Sequence, residues 1–240
     1  MRWTRKHFEH KETIVTILCE EKYIRAGEER LMQCRKILEA YIRKDPEFGT
    51  THAPHEPIPG AEKFIAQMCA ESARVDVGPM ASVAGTFALE SLTAMLQAGA
   101  EEAVVDNGGD IALQVREPVT IGIYAGNSQI KDLAFVIEPG NRPLGICTSS
   151  GTVGHSFSYG KSDAAVVISH NIILADAAAT ALGNRIQSQN DLQDCFEFLE
   201  ELNEIQGAMV VYQNEVALWG KLPEIMHCPM NQERITRGKS

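Results

Sequence analysis

Two oxygen-bearing side chains, Asp176 and Thr180, stand four positions apart in an alanine-rich run. On an α-helix this spacing places both residues on one face, one turn apart, so their oxygens can converge on one point. Carboxylate and hydroxyl oxygens suit a hard cation such as Mg²⁺. The alanines are equally typical of a helix that packs closely against another element, with the two polar residues as a mere stripe. The spacing alone leaves both interpretations open.

A second polar group lies in the segment Asp106-Asn107-Gly108-Gly109-Asp110, between two predicted strands. Two consecutive glycines permit positive φ and a close backbone approach, so the amides of this turn could hold a phosphate or a ring edge. Asparagine-glycine is also one of the strongest hairpin-turn signals. The local pattern favours the tight turn, and Asn107, Gly108, Gly109 and Asp110 are the candidate cofactor-binding residues here.

The segment 145–156 is dense in hydroxyl groups and glycines, with a thiol and an imidazole included. Such loops present amides and short side-chain donors that suit a polar or anionic ligand. Cys147 and His155 could form a thiolate–imidazole pair if the loop folds back, although a cysteine at a strand end is more often a packing residue. Four further candidate cofactor-binding residues follow Cys147: Thr148, Ser149, Ser150 and Gly151.

The elements that must position these residues are predicted from hydrophobic periodicity and turn signals. Helices are predicted at residues 26–44, 61–74, 82–97, 173–187 and 191–205. Strands are predicted at residues 12–20, 75–77, 102–105, 111–115, 119–124, 133–137, 145–148, 164–169, 208–212 and 216–219. Two hairpins are expected, one joining 111–115 to 119–124 and one joining 208–212 to 216–219. Residues 1–240 are expected to form one domain, with 52–60 as a surface connection and 229–240 as a frayed tail.

Composition excludes several classes of function. A net charge of −10 and a pI near 5.2 argue against non-specific binding to nucleic acid or to anionic lipid. No apolar run approaches the roughly 20 residues of a membrane span, and no signal segment follows the polar first residues, so a cytoplasmic protein is expected. The six cysteines are scattered without a CxxC pair, which predicts reduced thiols and no structural zinc.

The order of these motifs resembles that of the ApbE superfamily, flavin transferases that move FMN from FAD onto a protein threonine with Mg²⁺. The Val-Asp-x-Gly turn, Gly-Gly-Asp-Ile turn, Thr-Ser-Gly loop and Ala-Asp-Ala-x-Ala-Thr-Ala helix of that family match residues 75–78, 108–111, 148–151 and 175–181. Four ordered motifs are more specific than any one of them. The chain is also similar, over most of its length, to the UPF0280 branch, most clearly at residues 77–85 and 148–156.

The resemblance implies a single α+β domain of the ApbE type, related to the T-fold, with a mixed or antiparallel sheet packed by helices. It implies that Asp176, Thr180 and a backbone carbonyl near Ala81 are ligands of Mg²⁺. It makes residues 107–110 and 148–151 the walls of a pocket for a small-molecule ligand, FAD or FMN. Long apolar helices with flat faces further predict a homo-oligomer, with no nucleic-acid or membrane partner.

One departure from the flavin transferases bears on activity. They carry a Lys-Gly pair after the first turn, whereas residues 82–85 here read Ser-Val-Ala-Gly, without a cation that could stabilise a pyrophosphate. The first hypothesis is a Mg²⁺-dependent flavin-binding protein or an FMN-transferase-related enzyme. The second is sulfur transfer toward homocysteine, with sulfur on Cys147 and proton transfer by His155, because the UPF0280 branch is associated with sulfide assimilation. The third is a binding module that has lost its chemistry.

Overall fold

A computed structural model describes residues 3–10, 13–126, 128, 130, 132–151, 160–229 and 236. The helices of this part are α1 (Glu21–Lys44), α2 (Lys63–Ala73), α3 (Val83–Gln97) and α4 (Ile172–Arg185). Its strands are β1 (Thr4–His10), β2 (Thr13–Cys19), β3 (Ala103–Asn107), β4 (Asp110–Gln114), β5 (Val119–Ile123), β6 (Leu133–Ile137), β7 (Leu144–Ser149), β8 (Ala164–Ser169), β9 (Ile205–Tyr212), β10 (Glu215–Gly220) and β11 (Glu224–His227). Short 3₁₀ turns cover Pro46–Gly49, Pro79–Ser82, Gln189–Leu192 and Glu197–Leu199.

The strands form two antiparallel sheets. The larger has the order β1-β2-β3-β4-β7-β8-β9-β10, and the smaller has β6 between β11 and β5. Successive residues of a strand point to opposite faces. In β8, Ala165 and Val167 belong to the core shared with the helices, whereas Val166 and Ile168 belong to the core shared with the small sheet. The large sheet is therefore a middle layer, and the predicted α+β fold with antiparallel strands is confirmed.

Helix α4 is buried along nearly its whole length because its side chains are small. Asn171 caps the helix by accepting a hydrogen bond from the Leu174 N–H at 3.2 Å. The helix lies close to β7, since a Cβ added to Gly145 would come within 2.9 Å of Ile172 Cγ1. Alanine and glycine at such contacts permit this approach, and the result is that Asp176 lies in the protein interior.

Most of the predicted elements are present, but the predicted helix at 191–205 is wrong. The chain instead forms two 3₁₀ turns and enters β9 at Ile205. The carboxylate of Asp191 accepts the backbone N–H groups of Gln187 and Ser188, which closes a short turn in place of a helix. The apolar residues of this stretch are nevertheless buried in the core shared with the helices.

Three other sequence predictions differ from the structure. The hairpin expected between residues 111–115 and 119–124 is absent: β4 pairs with β3 and β7, and β5 pairs with β6 in the other sheet. Residues 75–77 are a turn and its exit rather than a strand, with Asp76 at a φ of +58°. Strands β1 and β11 escaped prediction because charged residues interrupt their alternation.

None of the helices in the described ranges combines the length and the hydropathy that crossing a membrane requires.

The predicted surface connection at residues 52–60 is irregular and is fixed to the end of α1. His55 Nε2 lies 2.8 Å from the Asp45 carboxylate, and the Ile58 N–H donates to the Tyr41 hydroxyl at 2.9 Å. The His55 ring also meets Phe48 edge to face at 6.2 Å. The hydrogen bond from His55 lowers the pKa of Asp45. The attachment of residues 52–60 to the end of α1 is therefore strongest when Asp45 is ionised.

Replacing this carboxylate should reduce stability in a pH-dependent way. Because the folded-state pKa of Asp45 lies below its ordinary value of 3.8, the carboxylate stabilises the fold above that pH and loses its effect as the pH falls through the folded-state pKa. Asp45→Asn should lower the free energy of unfolding by about 1 kcal/mol at neutral pH. Urea denaturation should show the difference shrinking below about pH 4. Glu47→Gln, at an exposed site nearby, is the control, and an equal effect of both variants would contradict this account.

Candidate functional site

The centre of the candidate site is a close contact between α3 and α4. The Gly85 N–H donates a hydrogen bond to Asp176 Oδ2 at 2.7 Å. A Cβ added to Gly85 would lie 2.8 Å from Asp176 Cβ and 3.2 Å from the Ile172 carbonyl oxygen. Only glycine fits between the helices at this point. The contact holds Asp176 in one orientation and leaves it 6% exposed.

A second buried carboxyl group, that of Asp110, is hydrogen-bonded to Asp176. Asp110 lies at the start of β4 and is 8% exposed. Burial raises the pKa of Asp110 well above its ordinary value, and the charge of Asp176 raises it further. Burial also raises the pKa of Asp176, against the hydrogen bonds from Gly85 and Asp110. A hydrogen bond between two carboxyl groups requires at least one of them to be protonated, which the raised pKa of both groups favours.

The glycine pair Gly108-Gly109 is a two-residue hairpin turn between β3 and β4, with φ values of +69° and +106°. Both positions favour glycine because the left-handed region is unfavourable for other residues. The Gly109 N–H already donates to Asp106 Oδ1 at 2.9 Å, so this amide is not available to bind a ligand. Asn107 Nδ2 donates to the Ala84 carbonyl on α3 at 3.0 Å. The residues flanking the turn, rather than the turn amides, reach the site.

The base of this turn is closed by a residue from the far end of the chain. The Thr236 hydroxyl donates to Asp106 Oδ2 at 2.5 Å and lies 2.9 Å from the Thr16 hydroxyl on β2. Thr236 is buried, although it belongs to the stretch expected to fray. Burial raises the pKa of Asp106, and the hydrogen bonds from Thr236 and Gly109 oppose that shift.

The hydroxyl-rich segment after Cys147 begins beside the acid pair. The Thr148 N–H donates to Asp110 Oδ1 at 3.2 Å. Ser149 is buried, Ser150 is half-buried, and Gly151 is exposed, with its N–H donating to the Ser162 carbonyl at 2.9 Å. Thr148 therefore lies beside the two carboxyl groups, whereas the Gly151 amide is already hydrogen-bonded to the protein backbone and does not face a ligand.

Thr180 and Ala81 meet one helical turn away from Asp176. The Thr180 hydroxyl oxygen lies 3.5 Å from the Ala81 carbonyl oxygen. In a Mg²⁺ octahedron with metal–oxygen distances of about 2.1 Å, neighbouring ligand oxygens lie about 3 Å apart, so this pair is near the spacing that the ion requires. Within the described ranges no cluster of three or more His, Cys, Asp or Glu residues could hold a metal. The donors found here are instead a carboxylate, a hydroxyl and a carbonyl, all hard oxygens that fit Mg²⁺.

Cys147 is buried on β7, next to the two carboxyl groups. Its thiol lies 3.8 Å from the Ile172 carbonyl oxygen. Burial raises the pKa of Cys147 well above its ordinary value, and the charges of Asp110 and Asp176 raise it further. This environment favours the protonated thiol, which is a poor nucleophile. The partner expected for it, His155, lies outside the described residues.

The structure therefore brings together most of the residues singled out in the sequence. It also adds three that sequence reasoning missed: Ala84, Gly85 and Asp106. The signal for Gly85 was its position in a run of small residues matching a family motif, but nothing local indicated that its N–H would face Asp176. Asp106 was noted only as part of a turn, and its buried contacts with Thr236 depend on residues distant in sequence.

Comparison with known proteins identifies the family. A family model described as AbpE bacteria matches residues 1–196. The UPF0280 protein of Methanocella arvoryzae is 48% identical over 238 residues, covering 99% of this chain and 97% of that protein. The UPF0280 protein of Methanococcoides burtonii is 42% identical over 236 residues, covering 98% of this chain and 100% of that protein. The chain belongs to the UPF0280 family.

Solved structures place the UPF0280 fold among the ApbE flavin transferases. The flavinyl transferase ApbE of Pseudomonas stutzeri, in its apo form, matches with a TM-score of 0.58 at 14% identity, over 92% of this chain and 96% of that one. The flavin transferase ApbE of Vibrio cholerae matches with a TM-score of 0.59 at 14% identity, over 90% and 97%. At this identity the similarity shows a shared fold, and it confirms the ApbE-like architecture expected from the four motifs.

Adding one methyl group at Gly85 should test the helix contact of this UPF0280 chain. Gly85→Ala forces a Cβ against Asp176 and the Ile172 carbonyl, so the free energy of unfolding should fall by about 1–3 kcal/mol. Gly140→Ala is the matched control, since the nearest atom to an added Cβ there is the Arg142 carbonyl oxygen at 3.8 Å. Urea denaturation of both variants measures the difference. A fully stable Gly85→Ala variant would show that the helices can separate freely.

The burial of Cys147 leads to a labelling prediction. Because its thiol is buried with a raised pKa, iodoacetamide should modify the folded protein at half-buried Cys228 before Cys147. Peptide mass spectrometry after timed labelling near pH 7.5 reports the order of modification. Unfolding in urea should make the two rates similar. Faster labelling of Cys147 in the folded protein would instead support its assignment as a nucleophile.

Proposed function

We propose that this UPF0280 protein binds a flavin nucleotide together with Mg²⁺, at the contact of α3, α4 and the β3–β4 hairpin. Two observations support the proposal: the Thr180 hydroxyl lies 3.5 Å from the Ala81 carbonyl oxygen, and Asp176, one turn earlier on α4, is hydrogen-bonded to Asp110 of the hairpin. The choice of a flavin nucleotide as the ligand rests on the fold that this chain shares with flavin transferases.

The metal donors in this proposal are the Asp176 carboxylate, the Thr180 hydroxyl and the Ala81 carbonyl. Asp176 is the only one of the three that can carry charge, and burial raises the pKa of both Asp176 and Asp110, which favours a proton on this pair of carboxyl groups. A bound divalent cation would favour ionised carboxyl groups and so release that proton. When bound, the cation supplies the positive charge that a pyrophosphate needs nearby.

Charge explains why nucleotide binding should require the metal. The protein has a net charge of −10, and the named site residues include three carboxyl groups, those of Asp106, Asp110 and Asp176, and no cationic side chain. An anionic nucleotide would be repelled from such a site unless a cation were present. Residues 107–110 and 148–151 form the two walls in this proposal, with Asn107, Asp110 and Thr148 held in place by their hydrogen bonds.

Binding, rather than FMN transfer, is the function that these residues support. The sequence Ser-Val-Ala-Gly at 82–85 provides no lysine, and the Gly85 N–H is directed at Asp176. The sulfur-transfer hypothesis gains no support from the buried environment of Cys147. If the protein binds neither FAD nor Mg²⁺, the hypothesis that remains is the third one, a binding module that has lost its chemistry.

Removing the proposed ligands should abolish metal-dependent flavin binding without unfolding the protein. Asp176→Asn keeps an acceptor for the Gly85 N–H and replaces one of two buried carboxyl groups with a neutral amide that can donate to an ionised Asp110, so its free energy of unfolding should match or exceed that of the wild type. Thr180→Val keeps the shape and removes the hydroxyl. Each variant should weaken FAD binding in the presence of Mg²⁺ by at least about tenfold, measured by fluorescence quenching.

The control for this experiment is Asp194→Asn, an exposed carboxylate away from the site, which should leave binding unchanged. Wild-type protein titrated with FAD in EDTA should bind far more weakly than in Mg²⁺. Equal FAD affinity with and without Mg²⁺, or wild-type affinity in Asp176→Asn, would overturn the proposal.

A further inference from the structure

The two outer strands of the large sheet differ in character. Strand β1 carries the charged and titratable residues that commonly protect a sheet edge from pairing with other chains, namely Arg5, Lys6, His7, Glu9 and His10. Strand β10 has one charged residue, Glu215, at its start. Among the described residues, the large apolar side chains that are exposed are Val216 at 38%, Leu218 at 53% and Met226 at 38%. Two of the three lie on β10, and none lies on a helix.

The hydrogen-bonding pattern of β10 leaves the backbone of its apolar residues facing outward. Tyr212 and Glu215 close the two-residue turn to β9 and form a hydrogen-bonded pair. Hydrogen-bonded and non-hydrogen-bonded pairs alternate along an antiparallel ladder. Val216, Leu218 and Gly220 therefore direct their N–H and C=O groups away from β9. In the described part of the chain no strand pairs with that outer edge.

We propose that β10 pairs with β10 of a second copy of this chain, antiparallel and with its two-fold axis at Leu218. In this register Leu218 opposes Leu218 of the second copy, and both have outward backbone groups that can exchange hydrogen bonds. Val216 opposes Gly220, which also faces outward. Glu215 begins the strand and Lys221 follows its last residue, so the antiparallel arrangement brings opposite charges of the two copies near each other at both ends of the shared segment.

The side chains fit the same arrangement. Ala217 and Trp219 face the helix-side core, with Trp219 stacked on Phe196 at 6.5 Å. Val216 and Leu218 occupy the other face of β10, where they are exposed in a single copy. Pairing two copies places two leucines and two valines side by side and removes apolar surface from water. A two-fold register satisfies backbone, apolar and charged groups at once, which identifies a second copy as the occupant of this edge.

The shared segment is short, because Gly220 has a φ of +70° and ends the regular strand. An interface of this size falls at the low end for specific association, below about 1,200 Å². The dimer should therefore depend on concentration. It replaces the association through flat helix faces that the sequence suggested.

Sedimentation velocity of the full chain over about 1–500 µM measures the association. The wild type should shift from monomer toward dimer with concentration. Leu218→Lys places two lysines at the two-fold axis and should weaken the dimer by at least about tenfold. Met226→Lys is the matched control, an exposed apolar residue on β11, and should leave the dimer unchanged. A wild type that stays monomeric throughout, or a dimer that Leu218→Lys does not affect, would overturn the proposal.

Cysteine cross-linking tests the register itself. In a Cys228→Ser background, Leu218→Cys brings two thiols together at the axis, because hydrogen-bonded antiparallel pairs have Cα atoms about 5.5 Å apart, within disulfide range. Val216→Cys places its two thiols about 13 Å apart, at about 3.3 Å per residue. Mild oxidation should yield a covalent dimer of the first variant and little of the second. Equal yields from both, or none from Leu218→Cys, would contradict a two-fold axis at Leu218.

Discussion

The hydrogen bond between the Gly85 N–H and the Asp176 carboxylate depends on two helices lying unusually close. Helix α3 supplies a glycine at the contact, and α4 supplies a run of alanines on either side of Asp176. The same contact fixes Ala84 on α3, whose carbonyl accepts a hydrogen bond from the Asn107 side chain, and the short turn before α3, where the Ala81 carbonyl lies near the Thr180 hydroxyl. The proposed metal donors are thus all positioned by one pair of helices and the turn that enters it.

Keeping this arrangement has an energetic cost, because the carboxyl groups of Asp110 and Asp176 are both buried. Two carboxyl groups in a low-dielectric interior cannot both ionise without a large cost, and burial raises the pKa of both Asp110 and Asp176. Backbone N–H groups of Gly85 and Thr148 each donate to one of them, which offsets part of the desolvation. A hydrophobic pair at these positions would leave those amides without acceptors, so the carboxyl groups are tied to the surrounding backbone as well as to each other.

The sequence indicated which residues to examine as a candidate site, but it did not indicate several of the connections around them. Asp176 and Thr180 were recognisable from helical spacing and from motif order, and the Gly108-Gly109 turn from its composition. The role of Gly85 was hidden because a glycine inside a helix shows no local sign of what it faces. The false helix at 191–205 arose because its apolar residues recur with helical spacing, and that spacing does not reveal the turn that the Asp191 carboxylate closes with Gln187 and Ser188. Long-range strand pairing also explains why β4 and β5, adjacent in sequence, belong to different sheets.

The contact of Thr236 with Asp106 and Thr16 has a consequence for how the protein is made. Thr16 and Thr236 are 220 residues apart, yet their hydroxyl groups meet beneath the hairpin turn. During synthesis the turn itself can form early, since its residues are neighbours in the chain. Its buried carboxylate, however, receives the hydroxyl of Thr236 only after 130 further residues have been synthesised. A nascent chain therefore carries a complete hairpin with an incompletely bonded Asp106 until Thr236 has been made and can reach it.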